Sequence, residues 1–383
     1  MKKSALLLTV LLLSLLVQVS AQSLNPRARG LGISFEGIPG KNNSITDVKG
    51  VLVGYKTIIK GDAAHNGKDV ARTGVTVILP NGRSIDPVPA GWFCLNGDGE
   101  MTGTTVIDEY GFNYGPIGIT NTNSVGIVRD AIGEWNVKNF SKGSTIDYSF
   151  GLPVVAETFD GVLNNVNSFY VQKQDVFDAL NNAHEGPIEE GNVGGGTGMS
   201  LFMFKGGSGT ASRVIKIDTA TYTVGVFVQG NYGRRSDLII SGVPVGKEIT
   251  GHMPVIASNK KDGSIIIVIA TNAPLLPAQL KLVAKRASLG VARNGGIGRN
   301  GSGDIFIAFS TVSPIENKKG TLESWNVLPK EQLDKVYGAT VEATEEAIIN
   351  AMIAAKDMTG FNGNTIYALP HDELMKVIKN YKR

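Results

Sequence analysis

The stretch Asn259–Leu275, "NKKDGSIIIVIATNAPL", carries the most pointed chemistry in the sequence. A polar loop of Lys, Asp and Gly runs straight into an apolar strand that opens on a hydroxyl residue, Ser264. If the chain is cut between Gly263 and Ser264, Ser264 presents a free α-amine beside its own hydroxyl. Such an amine titrates at roughly 7.7–8.0, so it can take the hydroxyl proton near neutral pH without a histidine. Gly263 lets the loop fold tightly enough for the hydroxyl to attack the preceding carbonyl. The same letters also read as an Asp262–Gly263 turn leading into a core strand, because Asp-Gly before a strand is a common turn signal.

Other residue types could assist. Asn231 in "QGNYG" offers a side-chain amide that can donate to a developing oxyanion, or serves as a turn residue. Ser302 and Asp304 flank Gly303 at i and i+2, a spacing that puts both side chains on one side of a strand. Glu157 follows the apolar run "GLPVVA", where a carboxylate is costly to bury without a cationic partner.

Familiar alternatives fail in context. Gly296, Gly298 and Gly301 match G-x-G-x-x-G, but the pattern follows an expected helix and precedes an expected strand, the reverse of a dinucleotide site. "GVPVGKE" at Gly242 is one residue short of a phosphate loop. His65, His184, His252 and His371 have no ligand spacing, no G-x-S-x-G elbow occurs, and the single cysteine, Cys94, excludes a cysteine-based metal cluster and an intramolecular disulfide. With 37 Lys+Arg against 34 Asp+Glu, the chain has no basic stripe for nucleic acid.

The elements that must position these residues read as strands and glycine turns first and helices late. Glycine, 48 of 383 residues, is abundant without a Gly-X-Y period, which excludes collagen and points to tight turns. Ile45–Ile59 alternates and reads as strand–turn–strand, Val75–Leu79 as a buried strand, and Gln172–His184 as the first clear helix. Arg213–Gln229 reads as a hairpin turning at Thr219–Ala220. Ser264–Thr271 and Asp304–Thr311 are continuously apolar enough to be buried on both faces. Leu275–Leu289 is a helix with Pro277 early, and Lys330–Met358 is a long helical stretch with a break expected near Gly338. Residues 1–21 read as a secretory signal peptide: Lys2 and Lys3, the largely apolar run Ala5–Val17, then Val19-Ser20-Ala21 before Gln22. The apolar run is shorter than the ~20 residues of a membrane-spanning helix. Export to a periplasm or secretion is therefore expected, with a mature form outside the membrane.

"DGSIIIVIATNAPL", "VGVFVQGNYGRR", "NGSGDIFIAFST", "LPVVAETFDGVLN" and "ITDVKGVLVGYKTI" occur in order along nearly the whole mature chain. Together they resemble the self-processing D-aminopeptidase/β-peptidyl aminopeptidase family, the L-aminopeptidase/D-esterase type with an N-terminal serine nucleophile. The resemblance implies cleavage at Gly263–Ser264, giving an α-chain 22–263 and a β-chain 264–383 that form one catalytic domain. It implies a four-layer α/β/β/α sandwich like that of N-terminal-nucleophile hydrolases, and oligomers of αβ units. The implied reaction releases the first residue from small peptides, amides or esters, including D- or β-amino acids, with no cofactor. Ser264, Asn231, Ser302 and Asp304 take the catalytic positions, and Glu157 and Phe159 the substrate-binding ones. Phe159 stands where some members have tyrosine, and Asn272 where Asp is frequent, so substrate preference is where this chain is expected to differ. Two other classes compete: an acyltransferase of the ornithine acetyltransferase type, which uses threonine, and a processed protein that binds without catalysis.

Overall fold

The computed structural model describes residues 26–63, 69–140, 152–257, 263–312 and 325–381. The expected signal peptide, and the polar loop 259–262 before Gly263, lie outside the described residues. Among those described, no helix is long and apolar enough to cross a membrane.

The chain opens with β1 (Leu52–Lys60), β2 (Ala71–Arg83) and β3 (Val88–Gly97), followed by helix α1 (Thr104–Tyr110). Next come β4 (Phe112–Asn113), β5 (Ile117–Asn121), α2 (Val125–Phe140), β6 (Val154–Thr158) and α3 (Lys173–Asn182). A small hairpin of β7 (Ser200–Leu201) and β8 (Phe204–Lys205) leads into a long one, β9 (Ser208–Ile217) and β10 (Ala220–Asn231). The one-turn helix α4 (Val245–Glu248) precedes β11 (Gly263–Thr271), α5 (Pro277–Arg293) and β12 (Ser302–Ser310). Helices α6 (Leu333–Ile353) and α7 (His371–Tyr381) close the fold.

Two large sheets result among the described residues, one ordered β1-β2-β5-β6 and one ordered β4-β3-β12-β11-β10-β9. Side-chain alternation turns them into four layers. On β11, Ile266, Val268 and Ala270 meet Ile78, Ile117, Ile119, Val154 and Ala156 between the sheets. Ile265, Ile267 and Ile269 point the other way, to Leu280, Val283 and Ala287 of α5 and to Ile348, Ile349 and Met352 of α6. On β2, Val75, Val77 and Leu79 cover α2 and α3 on the far side. A segment buried on both faces favours apolar side chains, which is why Ile265–Ala270 of β11 is an unbroken aliphatic run between two hydroxyl residues. Each such side chain contributes roughly 1.5–3 kcal/mol by leaving water. The expected α/β/β/α sandwich is the observed architecture.

Several local expectations are corrected. Ile45–Ile59 is one strand preceded by a 3-10 turn at Ile45–Asp47, because Ser44 and Asp47 form a reciprocal cap there. The first helices are α1 and α2, well before Gln172; the glycines and polar residues of "VGIVRDAIGEWNVKNF" blur the apolar face of α2. Helix α6 runs unbroken through Gly338, since its buried face outweighs one glycine. The hairpin turn falls one residue early, on Asp218 and Thr219, with Asp218 at φ 51°.

Candidate active site

Three strand termini coincide at one end of the second sheet. β10 ends at Asn231, β11 begins at Gly263 and β12 begins at Ser302. The antiparallel register sets Asn231 directly opposite Ser264, and the parallel register sets Gly263 beside Ser302. Asn231 and Ser264 therefore share a face of the sheet, the one turned toward the first sheet. Gly263 has no room for a side chain: a Cβ there would lie 2.7 Å from the Asn231 carbonyl oxygen and 2.9 Å from Tyr232 Cα. Gly303 is equally constrained, with Asp98 and Gly99 packed on it at 2.6 and 2.7 Å from a notional Cβ.

The side chains around this junction are tightly held. Ser264 is 3% exposed and Asn231 7% exposed. The Asn231 Oδ1 accepts from the Ser200 backbone N–H at 2.9 Å, and its Nδ2 donates to the Phe159 carbonyl at 2.7 Å, so the amide has one orientation. Ser302 Oγ donates to Asp304 Oδ1 at 2.6 Å, which places the two on one side as their spacing predicts. The Asp304 backbone N–H donates to Asn96 Oδ1 at 2.8 Å. Burial raises the Asp304 carboxyl above its usual range, while hydrogen bonds from Ser302, Asn96 and the Ile265 backbone pull it back down. That last contact puts the carboxylate within one residue of Ser264.

Glu157, at the end of β6, is 4% exposed. Its Oε1 accepts from the Glu100 N–H at 3.2 Å and its Oε2 from the Thr122 hydroxyl. Burial raises its pKa, the two hydrogen bonds oppose that, and the charges of Glu100 and Asp98 raise it further. Among the described residues it forms no ion pair. A carboxylate buried after an apolar run calls for a cation; the fold instead meets part of the cost with a hydroxyl and a backbone N–H. Gly99 separates Glu157 from Gly303: a Cβ on it would lie 3.2 Å from Glu157 Oε1 and 3.0 Å from Gly303 Cα.

A cavity of about 810 Å³ opens at the same end of the sandwich. Phe159, Asn231, Gly263, Ser302 and Asp304 wall it, whereas Ser264 and Glu157 do not. Ser264 lies one residue further along its strand, behind Gly263. The Phe159 ring folds back over Gly161, where a Cβ would collide with it at 2.1 Å. Among the described residues no cluster of His, Cys, Asp and Glu is arranged to hold a metal.

Sequence reasoning missed the supports. Ser200, which orients Asn231, and Asn96, which holds the Asp304 backbone, carry no local signal of their own. Asp160 is fully buried against Thr73 and Asn164, and burial pushes its pKa up to about 7; its one cue was an acidic residue three places after Glu157. The glycine loop 194–198 wedges beside this machinery. A Cβ on Gly195 would lie 2.2 Å from Gln229 Oε1, and one on Gly198 2.8 Å from Asp160 Cβ. Gln229 in turn donates to Thr158 and to the Thr120 carbonyl, tying β10 to the first sheet two residues before Asn231.

Residues 43–366 match peptidase family S58. The chain belongs to that family. It is 48% identical over 384 residues to the β-peptidyl aminopeptidase BapA of Sphingosinicella microcystinivorans, covering 96% of each chain. The solved L-aminopeptidase D-Ala-esterase/amidase of Ochrobactrum anthropi, described as a prototype serine aminopeptidase with a variant N-terminal-nucleophile hydrolase fold, superposes with a TM-score of 0.87 at 47% identity. That match covers 94% of this chain and 99% of the other. A Burkholderia sp. β-aminopeptidase gives 0.83 at 41% identity, covering 93% and 99%. The S58 chain is thus a hydrolase of the aminopeptidase class with the N-terminal-nucleophile hydrolase fold, and the threonine-dependent acyltransferase alternative falls away.

Proposed function

We propose that the protein is exported by its first 21 residues, cuts itself between Gly263 and Ser264, and then removes the first residue from short peptides, amides or esters. The observation that supports this reading is the junction of three strand ends, where Asn231 pairs with Ser264, Gly263 pairs with Ser302, and Ser302 donates to Asp304. In maturation, Ser264 Oγ attacks the Gly263 carbonyl carbon. Its proton passes to the departing amide nitrogen, which becomes the Ser264 amine. Water then hydrolyses the resulting ester, leaving a Gly263 carboxylate and a free serine hydroxyl. Departure of Gly263 from the cavity wall uncovers Ser264.

In turnover the same hydroxyl attacks the carbonyl of the substrate's first residue. The α-amine of Ser264 takes the hydroxyl proton and passes it to the leaving amine. Water then releases the acylated residue. An Asn amide carries two N–H donors; Phe159 takes one, and the second serves the oxyanion. Asp304, steadied by Ser302, holds the Ser264 amine. Glu157 receives the substrate ammonium through a charge-assisted hydrogen bond, which explains why the reaction is confined to free N-termini. The relatives named above are a β-peptidyl aminopeptidase, a β-aminopeptidase and an L-aminopeptidase that is also a D-Ala-esterase/amidase, which makes a panel of L-, D- and β-aminoacyl amides the natural screen.

Intact mass tests the reading directly. Purified wild-type protein yields two chains separating at Gly263–Ser264, and Ser264→Ala yields one. The same two fragments from Ser264→Ala would assign the cut to another protease.

A further inference from the structure

The cavity wall carries four cations, Arg234, Arg235, Lys247 and Arg299, against two carboxylates, Asp237 and Asp304. Most of these charges are already engaged. Arg235 is buried, donates to the carbonyls of Phe202, Met203, Ile249, Gly251 and His252, and lies over the Phe204 ring at 3.3 Å. Arg299 pairs with Asp237, and Asp304 is held by Ser302 and the strand starts around it. Arg234 and Lys247 are exposed, and among the described residues neither side chain has a hydrogen bond or an ion pair. Glu248, next to Lys247, is taken by the Tyr381 hydroxyl at 2.7 Å.

Both cations are placed by rigid backbone. Gly233 turns the chain out of β10 at φ +94°, and its Cβ would meet Phe202 at 2.5 Å, so a glycine turn sets Arg234 on the rim. Helix α4 is locked to the same segment, because a Cβ on Gly246 would strike the Arg235 carbonyl oxygen at 1.6 Å. Arg234 follows Asn231 by three residues, at most ~10 Å of chain. A dipeptide's carboxylate lies one residue beyond its scissile carbonyl and a tripeptide's two, roughly 3.5 and 7 Å when extended. The cavity walled by Asn231, Ser302 and Asp304 therefore carries two exposed cations that are unpartnered among the described residues, a charge that suits the carboxylate of a short peptide whose scissile bond lies at the strand junction.

We propose that Arg234 and Lys247 read the free C-terminal carboxylate of di- and tripeptide substrates. The inference rests on the aminopeptidase reading above and adds a preference within it: free di- and tripeptides are favoured over their C-terminally blocked or longer counterparts. The test compares a dipeptide with the same dipeptide amidated at its C-terminus, so that the first residue and the scissile bond are identical. The first residue is the one the wild type accepts best in the L-, D- and β-aminoacyl panel. Wild-type kcat/KM is expected to favour the free acid by about tenfold, the scale of two partly exposed ion pairs. That ratio falls toward one in the double variant Arg234→Gln, Lys247→Gln, and it inverts in Arg234→Glu. Raising ionic strength on the wild type also shrinks the ratio, which tests the idea without any variant. Equal kcat/KM for acid and amide in the wild type, or a ratio unmoved in the double variant, overturns the inference while leaving the aminopeptidase intact. A wild type that matures yet cleaves neither substrate overturns the aminopeptidase reading itself.

Discussion

Replacing Asn231 separates its two duties. One is structural: its Oδ1 satisfies the Ser200 N–H and its Nδ2 the Phe159 carbonyl. Truncation to Ala deletes both hydrogen bonds, each worth about 0.5–1.5 kcal/mol net, so Asn231→Ala should unfold several degrees below the wild type. The other duty is chemical. Losing one oxyanion donor costs about 10²–10³ in kcat, or about 2.7–4 kcal/mol of barrier. The donor acts on charge that exists in the transition state, so KM should change little. Asn231→Asp keeps the acceptor for Ser200 but sets a carboxylate oxygen against the Phe159 carbonyl and the developing oxyanion. It should lose at least as much kcat as the Ala variant. The assay is release of p-nitroaniline from an aminoacyl anilide, normalised to the processed fraction by intact mass, with a thermal melt alongside. Self-cleavage passes through a similar tetrahedral intermediate and should slow in both variants. An Asn231→Ala protein that melts lower but turns over at the wild-type rate per processed molecule would leave Asn231 as a brace only and refute its place in the chemistry.

Glu157→Gln should lower kcat/KM on free-amine substrates by about 10–100-fold, the worth of one hydrogen bond to a charged group, while N-acetylated substrates stay poor with both proteins; wild-type hydrolysis of acetylated and free substrates at similar rates would remove Glu157 from amine recognition. Gly263→Ala should slow maturation, because the added methyl would sit 2.7 Å from the Asn231 carbonyl, and a time course of intact mass measures it. Asp160 makes stability depend on pH. Its folded pKa of about 7 lies above the ordinary 3.8, so the folded state favours the protonated carboxyl. Its contribution is fully present below pH ~4 and is lost as pH rises through about 7, at most about 4 kcal/mol at 1.36 kcal/mol per unit. Asp160→Asn should therefore flatten the fall in denaturant midpoint between pH 4 and 7; an unchanged slope would show that Asp160 is not the group responsible.

What the sequence made legible follows from how many physical constraints each segment satisfies alone. "GSIIIVIAT" is short, rich in β-branched residues and bounded by a glycine turn, features that together mark a strand buried on both faces, so β11 and its serine are legible in the letters. Ser302 and Asp304 were paired by spacing because strand periodicity is local. Helix α2 is hard to read although its buried Val128, Ala131, Ile132 and Trp135 keep helical spacing, because Gly126 and Gly133 lower helix propensity and the half-buried Ile127 and exposed Val137 put apolar residues off that face. Ser200 was illegible for a different reason. It acts through its backbone N–H, which every residue but proline has, and what makes it important is the register that brings it to Asn231. Glu157 lies between the two cases. Its burial was foreseen from the apolar run before it, but the Thr122 hydroxyl and Glu100 N–H that hold it come from segments distant in sequence.

The two buried carboxylates bring these levels together. Asp304 and Glu157 are both raised by burial, and among the described residues neither has a cation in the uncut chain. A buried carboxylate with hydrogen bonds but no counter-charge is only partly compensated. On the proposed reading, each deficit is met by an amine that does not yet exist there. Cleavage creates the α-amine of Ser264, one residue from the Ile265 N–H that Asp304 already accepts. Substrate binding brings the second amine, to Glu157. Maturation and recognition thereby draw on the same physical imbalance, and the order is fixed by geometry. Gly263 occupies the cavity wall in front of Ser264, so the first amine must form, and Gly263 must leave, before the reacting bond of a substrate can reach the serine.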